Sequence, residues 1–209
     1  YYILIIIFIK GLISQSKKKL IPLLILLVIH YTYPCLNNDL LIEMIDVGQG
    51  DSLLISKNNK SILIDTGGKI KYKQEAWKQT NKESSIIKNT TLPLLKSKGI
   101  RKLDYLIITH GDFDHMGEAI NLINSFKVKT IIFNCGRYNY LERELIKVLK
   151  KKHIPYYSCI DELNLSQYNL QFLNTKEYDN ENDNSNVIYL NYDNYQFLFM
   201  GDASIEKEK

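Results

Sequence analysis

Hydrophobic and polar positions change rhythm along this chain, and each change predicts a different kind of element. Residues 1–13, YYILIIIFIKGLI, are apolar apart from Lys10, and residues 20–36, LIPLLILLVIHYTYPCL, form a second apolar run broken by His30 and the tyrosine hydroxyls. SQSKKK lies between them. A spanning helix needs about 20 apolar residues, so the second run is marginally long enough, and the pattern predicts two transmembrane helices joined by a basic loop over 1–36. A signal peptide is the competing reading, with Lys17–Lys19 as its charged segment, but the apolar residues upstream of that cluster argue against it. With those lysines on the cytoplasmic side, the chain from residue 37 onward lies outside.

From Leu40 the apolar positions shorten into strand-length groups. LLIEMIDV and SLLIS flank Gly48, Gln49, Gly50 and Asp51, and SILID follows the polar turn KNNK, which predicts a three-stranded meander. Residues 66–82, TGGKIKYKQEAWKQTNK, have no clean period and read as a long loop. Ile86, Ile87, Leu92, Leu94 and Leu95 fall at imperfect helical spacing within 83–98, with Pro93 as a kink and Gly99 as a stop. LDYLIITH is a continuous apolar run, suited to a central strand covered on both faces. A helix over about 115–125, a strand VKTIIFN, a helix over about 141–153 and a short strand near 156–159 follow. NTKEYDNENDNSN is a loop whose last residues can reach a site, and NVIYLNY and YQFLFM form a hairpin across Asp193 and Asn194. The class is α/β, two packed sheets with helices outside.

A net charge of +4 with 24% charged residues does not by itself announce a nucleic-acid binder. Cys35, Cys135 and Cys159 form no Cys-x-x-Cys pair, which removes a zinc ribbon or dithiol site. They read as buried free thiols, with a Cys135–Cys159 disulfide as the competitor if the domain lies outside the cytoplasm. The first residue is Tyr1 rather than Met, so the chain is expected to be a piece of something longer.

The chemistry concentrates in THGDFDH, directly after the continuous apolar strand. His110, Asp112, Asp114 and His115 lie at a strand's carboxyl end, where open sheets commonly hold ligands. Residues 110, 112 and 114 can project to one side of an extended loop, while Asp114 and His115 diverge toward a second point. Four ligands in six residues, split into pairs, suit two divalent ions, which clamp both the attacking and the leaving oxygen. A solvated acidic loop with Asp114 as a helix N-cap explains one aspartate and leaves both histidines and Asp112 idle.

The loop resembles that of the metallo-β-lactamase-like hydrolases, which reads His-x-His-x-Asp-His, with Asp112 in place of the second histidine. ILIDTG with Asp65 precedes it and FLFMGDA with Asp202 follows it, in that family's order. A narrower match covers nearly the whole chain. MIDVGQGDSLLI, ILIDTGG, LPLLKSKGIRKLDYLIITHGDFDHMGEAINLI, NDNSNVIYL and FLFMGDA, preceded by membrane helices, look like the ComEC-type competence proteins, which carry DNA across the membrane. The resemblance implies an αββα sandwich over 37–209, incomplete at its C-terminus, and a multi-pass location in a bacterial cell membrane with the hydrolase domain outside the cytoplasm. It further implies that Asp65 buttresses the metal loop and that Asp202 bridges two ions. One ion would take His110, Asp112 and Asp202; the other would take Asp114, His115 and Asp202. The family's further ligand before the Gly-Asp strand falls among Asp183, Asn184 and Ser185, with Asn184 the candidate, and a histidine-containing motif would follow Lys209.

Carboxylate for imidazole at Asp112 makes Mn²⁺ or Mg²⁺ competitive with Zn²⁺. Asp114 is placed by the resemblance to orient the attacking water or shuttle its proton. Asp51, in the turn GQGDS, either faces the metals as a supporting residue or bonds its own turn backbone. Lys71, Tyr72, Lys73 and Trp77 interleave cations for phosphates with rings for unstacked bases, as a single-strand track needs; a solvated loop explains them equally. The expected function is hydrolysis of DNA phosphodiesters during DNA uptake, with single-stranded or duplex DNA, the membrane and other competence proteins as partners. Two alternatives stand beside it: a membrane-anchored hydrolase of a small ester, lactone or phosphodiester, and a catalytically silent DNA-binding or structural module.

Overall fold

The expected meander forms one edge of a larger sheet. β1 (Leu41–Met44), β2 (Leu53–Lys57) and β3 (Lys60–Ile64) are consecutive neighbours, and Asn58 and Asn59, both at positive φ, make the tight turn that joins the last two. The structure is a computed structural model that describes residues 2–13, 21–36, 39–68, 85–165, 168–173 and 177–208. The chain divides into two units, residues 1–39 with 57–59, and residues 40–56 with 60–209.

In the second unit the sheet continues through β4 (Leu103–Ile107), β5 (Val128–Phe133) and β6 (Tyr156–Ser158), giving six strands in sequential order. β3 to β6 run parallel, with Leu63 opposite Leu106, Leu106 opposite Ile131 and Ile132 opposite Tyr157. Parallel neighbours need crossovers. α3 (Leu92–Ser97), α5 (Ala119–Ser125) and α6 (Tyr140–Lys152) supply them and bury Leu95, Leu122, Leu145 and Leu149 against one face of the sheet. β4 is covered on both faces, as its unbroken apolar run requires: Leu106 joins the helix-side core and Ile107 joins the core on the other face.

That other face packs on a four-stranded antiparallel sheet ordered β10-β9-β8-β7. β9 (Ile188–Tyr192) and β10 (Tyr195–Phe199) are the hairpin across Asp193 and Asn194. β7 (Glu162–Leu165) and β8 (Tyr168–Phe172) were not expected, although Leu163, Leu165, Leu170 and Phe172 alternate with polar residues and turn inward to meet Ile55, Ile62 and Ile132. Three layers of the αββα arrangement are thereby built: helices, six strands, four strands.

Two helices depart from expectation. Pro93 lies in the first turn of α3, directly after a π-helical turn over Ile87–Thr91 that the sequence did not announce. The helix expected over about 115–125 is broken into α4 (Phe113–Met116) and α5, because Glu118 donates its N–H to the Gly67 carbonyl and diverts the chain at Gly117. The cysteines are a further correction. Cys135 and Cys159, at the ends of neighbouring strands β5 and β6, form a disulfide instead of lying as free thiols.

The two N-terminal apolar runs are helical, α1 (Tyr2–Ile13) and α2 (Ile21–Leu36). Sixteen residues rise about 24 Å, short of a hydrocarbon core of about 30 Å. Among the described residues no helix is long and apolar enough to cross a membrane. Both carry strongly exposed apolar side chains, including Ile3, Ile6, Leu24 and Ile25.

Candidate metal centre

The site begins where β3 and β4 end. Asp65 follows β3 at φ 57, a left-handed conformation that L-residues adopt at a cost of about 1–3 kcal/mol and that clusters at functional sites. Its N–H donates to the Ile107 carbonyl at the end of β4, and the neighbouring Thr66 N–H donates to the His115 carbonyl at 2.7 Å. The Asp65 side chain is fully buried and accepts from the Thr109 N–H at 2.8 Å, from the Thr109 hydroxyl and from His115 Nδ1 at 2.9 Å. Burial pushes its carboxyl up, and the bonds from His115 and Thr109 pull against that rise.

These bonds decide which histidine nitrogens are free. His115 gives Nδ1–H to Asp65, which leaves Nε2 facing the Asp202 carboxylate at 3.2 Å. Thr109 spends its single hydroxyl hydrogen on Asp65, so at 3.1 Å from His110 Nδ1 it can only accept. That acceptor favours a hydrogen on His110 Nδ1, with the Ser185 hydroxyl 3.2 Å from the same nitrogen. His110 Nε2 is buried, has no hydrogen-bond partner among the described residues, and lies 3.7 Å from Asp112 and 3.9 Å from Asp202. An unpartnered imidazole nitrogen in a buried site is costly unless something electrophilic fills the place. The two rings stand 4.2 Å apart between centroids.

Asp202 arrives from the far end of the chain, just after β10. Gly201 precedes it at φ 55, a backbone angle that favours glycine, and a Cβ there would stand 3.2 Å from both Ser185 and Thr109, a tight contact that their side chains would have to yield to. One carboxylate oxygen faces His115 and the other faces His110, an arrangement open to bridging two ions. Ligand atoms of His110, His115 and Asp202 all lie within 4.8 Å of one another. Their donor set, two imidazoles and a carboxylate with further carboxylates nearby, fits divalent metal.

The other residues singled out in the sequence fall as follows. Asp112 occupies the N-cap position of α4 without a side-chain capping bond, so the reading of this loop as helix capping by Asp114 has no support in the geometry. Asp114 is half-buried; against the downward pull of burial, His115 is raised to about 9 by its hydrogen bond to Asp65 first, then by the charges of Asp65, Asp202 and, least, Asp114. Asp51 has no side-chain hydrogen bond among the described residues; the Asx bond of its loop is made by Asp46 to the Gly48 N–H. Its turn nonetheless packs on the metal loop, because a Cβ on Gly50 would stand 1.8 Å from the Asp114 carbonyl. Asn184 spends its carboxamide on both backbone groups of Tyr178, and its neighbour Ser185 is the residue that reaches His110. Lys71, Tyr72, Lys73 and Trp77 lie outside the described residues.

Sequence reasoning passed over Thr109, Asn139 and Glu181. Thr109 stands beside His110 and could have been flagged by adjacency. Asn139 and Glu181 sit 28 and 70 positions from Gly111, which both contact, in stretches with no distinguishing pattern.

The metallo-beta-lactamase superfamily pattern matches residues 45–209. The chain is similar to ComE operon protein 3 of Bacillus subtilis, with 41% identity over 108 residues, 51% of this chain and 14% of that protein. It is also similar to Recombination protein 2 of Haemophilus influenzae, with 36% identity over 101 residues, 48% of this chain and 11% of that protein. The matched region is thus a small part of either relative's length, and the resemblance to ComEC-type proteins holds over about half of this chain. The metallo-beta-lactamase fold protein YhfI of Bacillus subtilis superposes with a TM-score of 0.46 and 14% identity over 74% of this chain and 56% of its own.

Proposed function

The chain belongs to the metallo-beta-lactamase superfamily, and from that premise we propose that it hydrolyses DNA phosphodiesters, as the membrane-attached, extracytoplasmic domain of a DNA-uptake protein that degrades the strand not imported. The observation that carries the reading is the convergence of His110 and His115, from one loop, with Asp202, about 90 positions later, on one point where His110 Nε2 has no hydrogen-bond partner among the described residues. Two divalent ions, manganese, magnesium or zinc, would be held by His110, Asp112 and Asp202 and by Asp114, His115 and Asp202. Bound there, they would supply a nucleophile near neutral pH and neutralise charge on the phosphoryl oxygens. Asp65 and Thr109 orient the imidazoles, Asp51 supports the loop, and Asp114 orients the attacking water or carries away its proton. Lys71, Tyr72, Lys73 and Trp77 would guide the strand.

Similarity to ComE operon protein 3 and Recombination protein 2 supports the place in DNA uptake, alongside other competence proteins. The exposed isoleucines and leucines of α1 and α2 support attachment to a membrane. The Cys135–Cys159 disulfide supports an oxidising location outside the cytoplasm.

The test is metal titration of the full chain in detergent, followed by incubation with single-stranded and duplex DNA in manganese, magnesium or zinc. Metal-dependent cleavage, abolished in Asp202→Ala and Asp114→Ala, is the expected outcome. Tight DNA binding without stoichiometric metal would replace the nuclease by a silent binding module. Cleavage of small esters or lactones with none of DNA would assign a small-molecule substrate.

A further inference from the structure

The residue between His110 and Asp112 is gripped on both sides. Gly111 donates its N–H to Glu181 Oε1 at 2.8 Å, and its carbonyl accepts from Asn139 Nδ2 at 2.7 Å. A Cβ on Gly111 would stand 2.0 Å from Asn139 Nδ2 and 2.8 Å from Glu181 Oε1, so the two side chains close directly over the glycine. Neither belongs to the set of candidate ligands. Asn139 comes from the N-terminus of α6 and Glu181 from the loop before β9.

Asn139 is itself held. It caps α6, accepting from the Glu142 N–H at 3.1 Å while the Glu142 carboxylate accepts from the Asn139 N–H at 2.7 Å, a reciprocal capping box. One carboxamide therefore uses its oxygen to start a helix and its nitrogen to hold the metal loop.

Resting on the metal-centre reading above, we infer that Asn139 and Glu181 form a clamp that fixes both peptide planes at Gly111, and so aims His110 and Asp112 at the metal. A glycine in an open loop would otherwise let those planes turn freely. Asn139 and Glu181 are positioning residues that act through the backbone. They would set metal affinity rather than touch the ion, and outer supports of this kind are worth about 10–100-fold in affinity.

The two roles of Asn139 separate by substitution. Asn139→Ser keeps a competent helix cap but is too short to reach the Gly111 carbonyl. Glu181→Ala removes the other grip, and Glu181→Gln restores an acceptor oxygen at the same distance. The measurement is calorimetric titration of the full chain with Mn²⁺ and Zn²⁺, with thermal unfolding of the metal-free protein alongside. About tenfold weaker binding in Asn139→Ser and Glu181→Ala is expected, with Glu181→Gln near the parent and metal-free melting temperatures within a few degrees of it. Unchanged metal affinity in both weakening variants, with the parent binding metal, overturns the clamp and leaves the metal centre standing. A parent chain that binds no metal overturns the centre, and the clamp with it.

Discussion

Among single residues, Asp65 governs more chemistry than its distance from any substrate suggests, because it orders the hydrogens of both imidazoles, directly at His115 and through the Thr109 hydroxyl at His110. Thr109→Val keeps the shape and loses the relay, leaving His110 free to take either tautomer. It is expected to weaken metal binding about tenfold while Thr109→Ser stays near the parent, as read by metal competition titration. Glu142 is a second buried carboxyl, with one oxygen unpartnered among the described residues, and burial first and the charge of Glu181 next push it from 4.5 up to about 7. A carboxyl raised on folding stabilises the fold fully below its unfolded value and loses that contribution as pH rises through the folded one. The chain is therefore expected to lose on the order of 3 kcal/mol between about pH 4.5 and 7 from this group. Glu142→Gln keeps an acceptor for the Asn139 N–H and should flatten that slope, which urea unfolding at pH 5 and pH 8 would show.

At the scale of elements, the disulfide between the ends of β5 and β6 closes a loop with a sequence separation of 24, which includes α6. Loop-closure entropy gives it about 3 kcal/mol over the open chain. A Cys135→Ala, Cys159→Ala double variant should show that loss in denaturant unfolding, and an unchanged midpoint would mean that the bond adds nothing to the fold. Elements set by local pattern were readable in the sequence. β4 declares itself by its unbroken apolar run, and the β9–β10 hairpin by alternation across Asp193 and Asn194. Elements set by contact were not. Gly117 weakens the helix locally, but the break itself comes from the bond of Glu118 to Gly67, about 50 positions earlier. β7 and β8 hid because their polar alternate positions outweigh the leucines between them. The same division runs through the site: His110, Asp112, Asp114 and His115 lie in one short motif and Asp202 in another, while Asn139, Glu181 and Ser185 acquire their roles only once the chain has folded.

At the scale of the whole molecule, the centre is built from segments near residues 65, 110, 185 and 202 and does not exist in the unfolded chain. Free energy of metal binding therefore adds to folding stability. Its dependence on pH follows from His115, which the bond to Asp65 and the charges of Asp65, Asp202 and Asp114 raise from 6.5 to about 9 against the opposing effect of burial. A histidine raised on folding stabilises the metal-free chain below about pH 6.5, and that contribution drains away as pH climbs to about 9, a loss on the order of 3 kcal/mol counting this group alone. Metal reverses the trend, because it binds imidazole only after the proton has left, so each step upward in pH favours loading. Metal at a hundredfold excess over its dissociation constant adds about 2.7 kcal/mol. Melting temperatures of chelator-treated and metal-supplemented protein should thus nearly coincide at pH 6 and separate steadily toward pH 9. Two curves running parallel across that range would show that loading displaces no proton from His115, and would remove that imidazole from the centre.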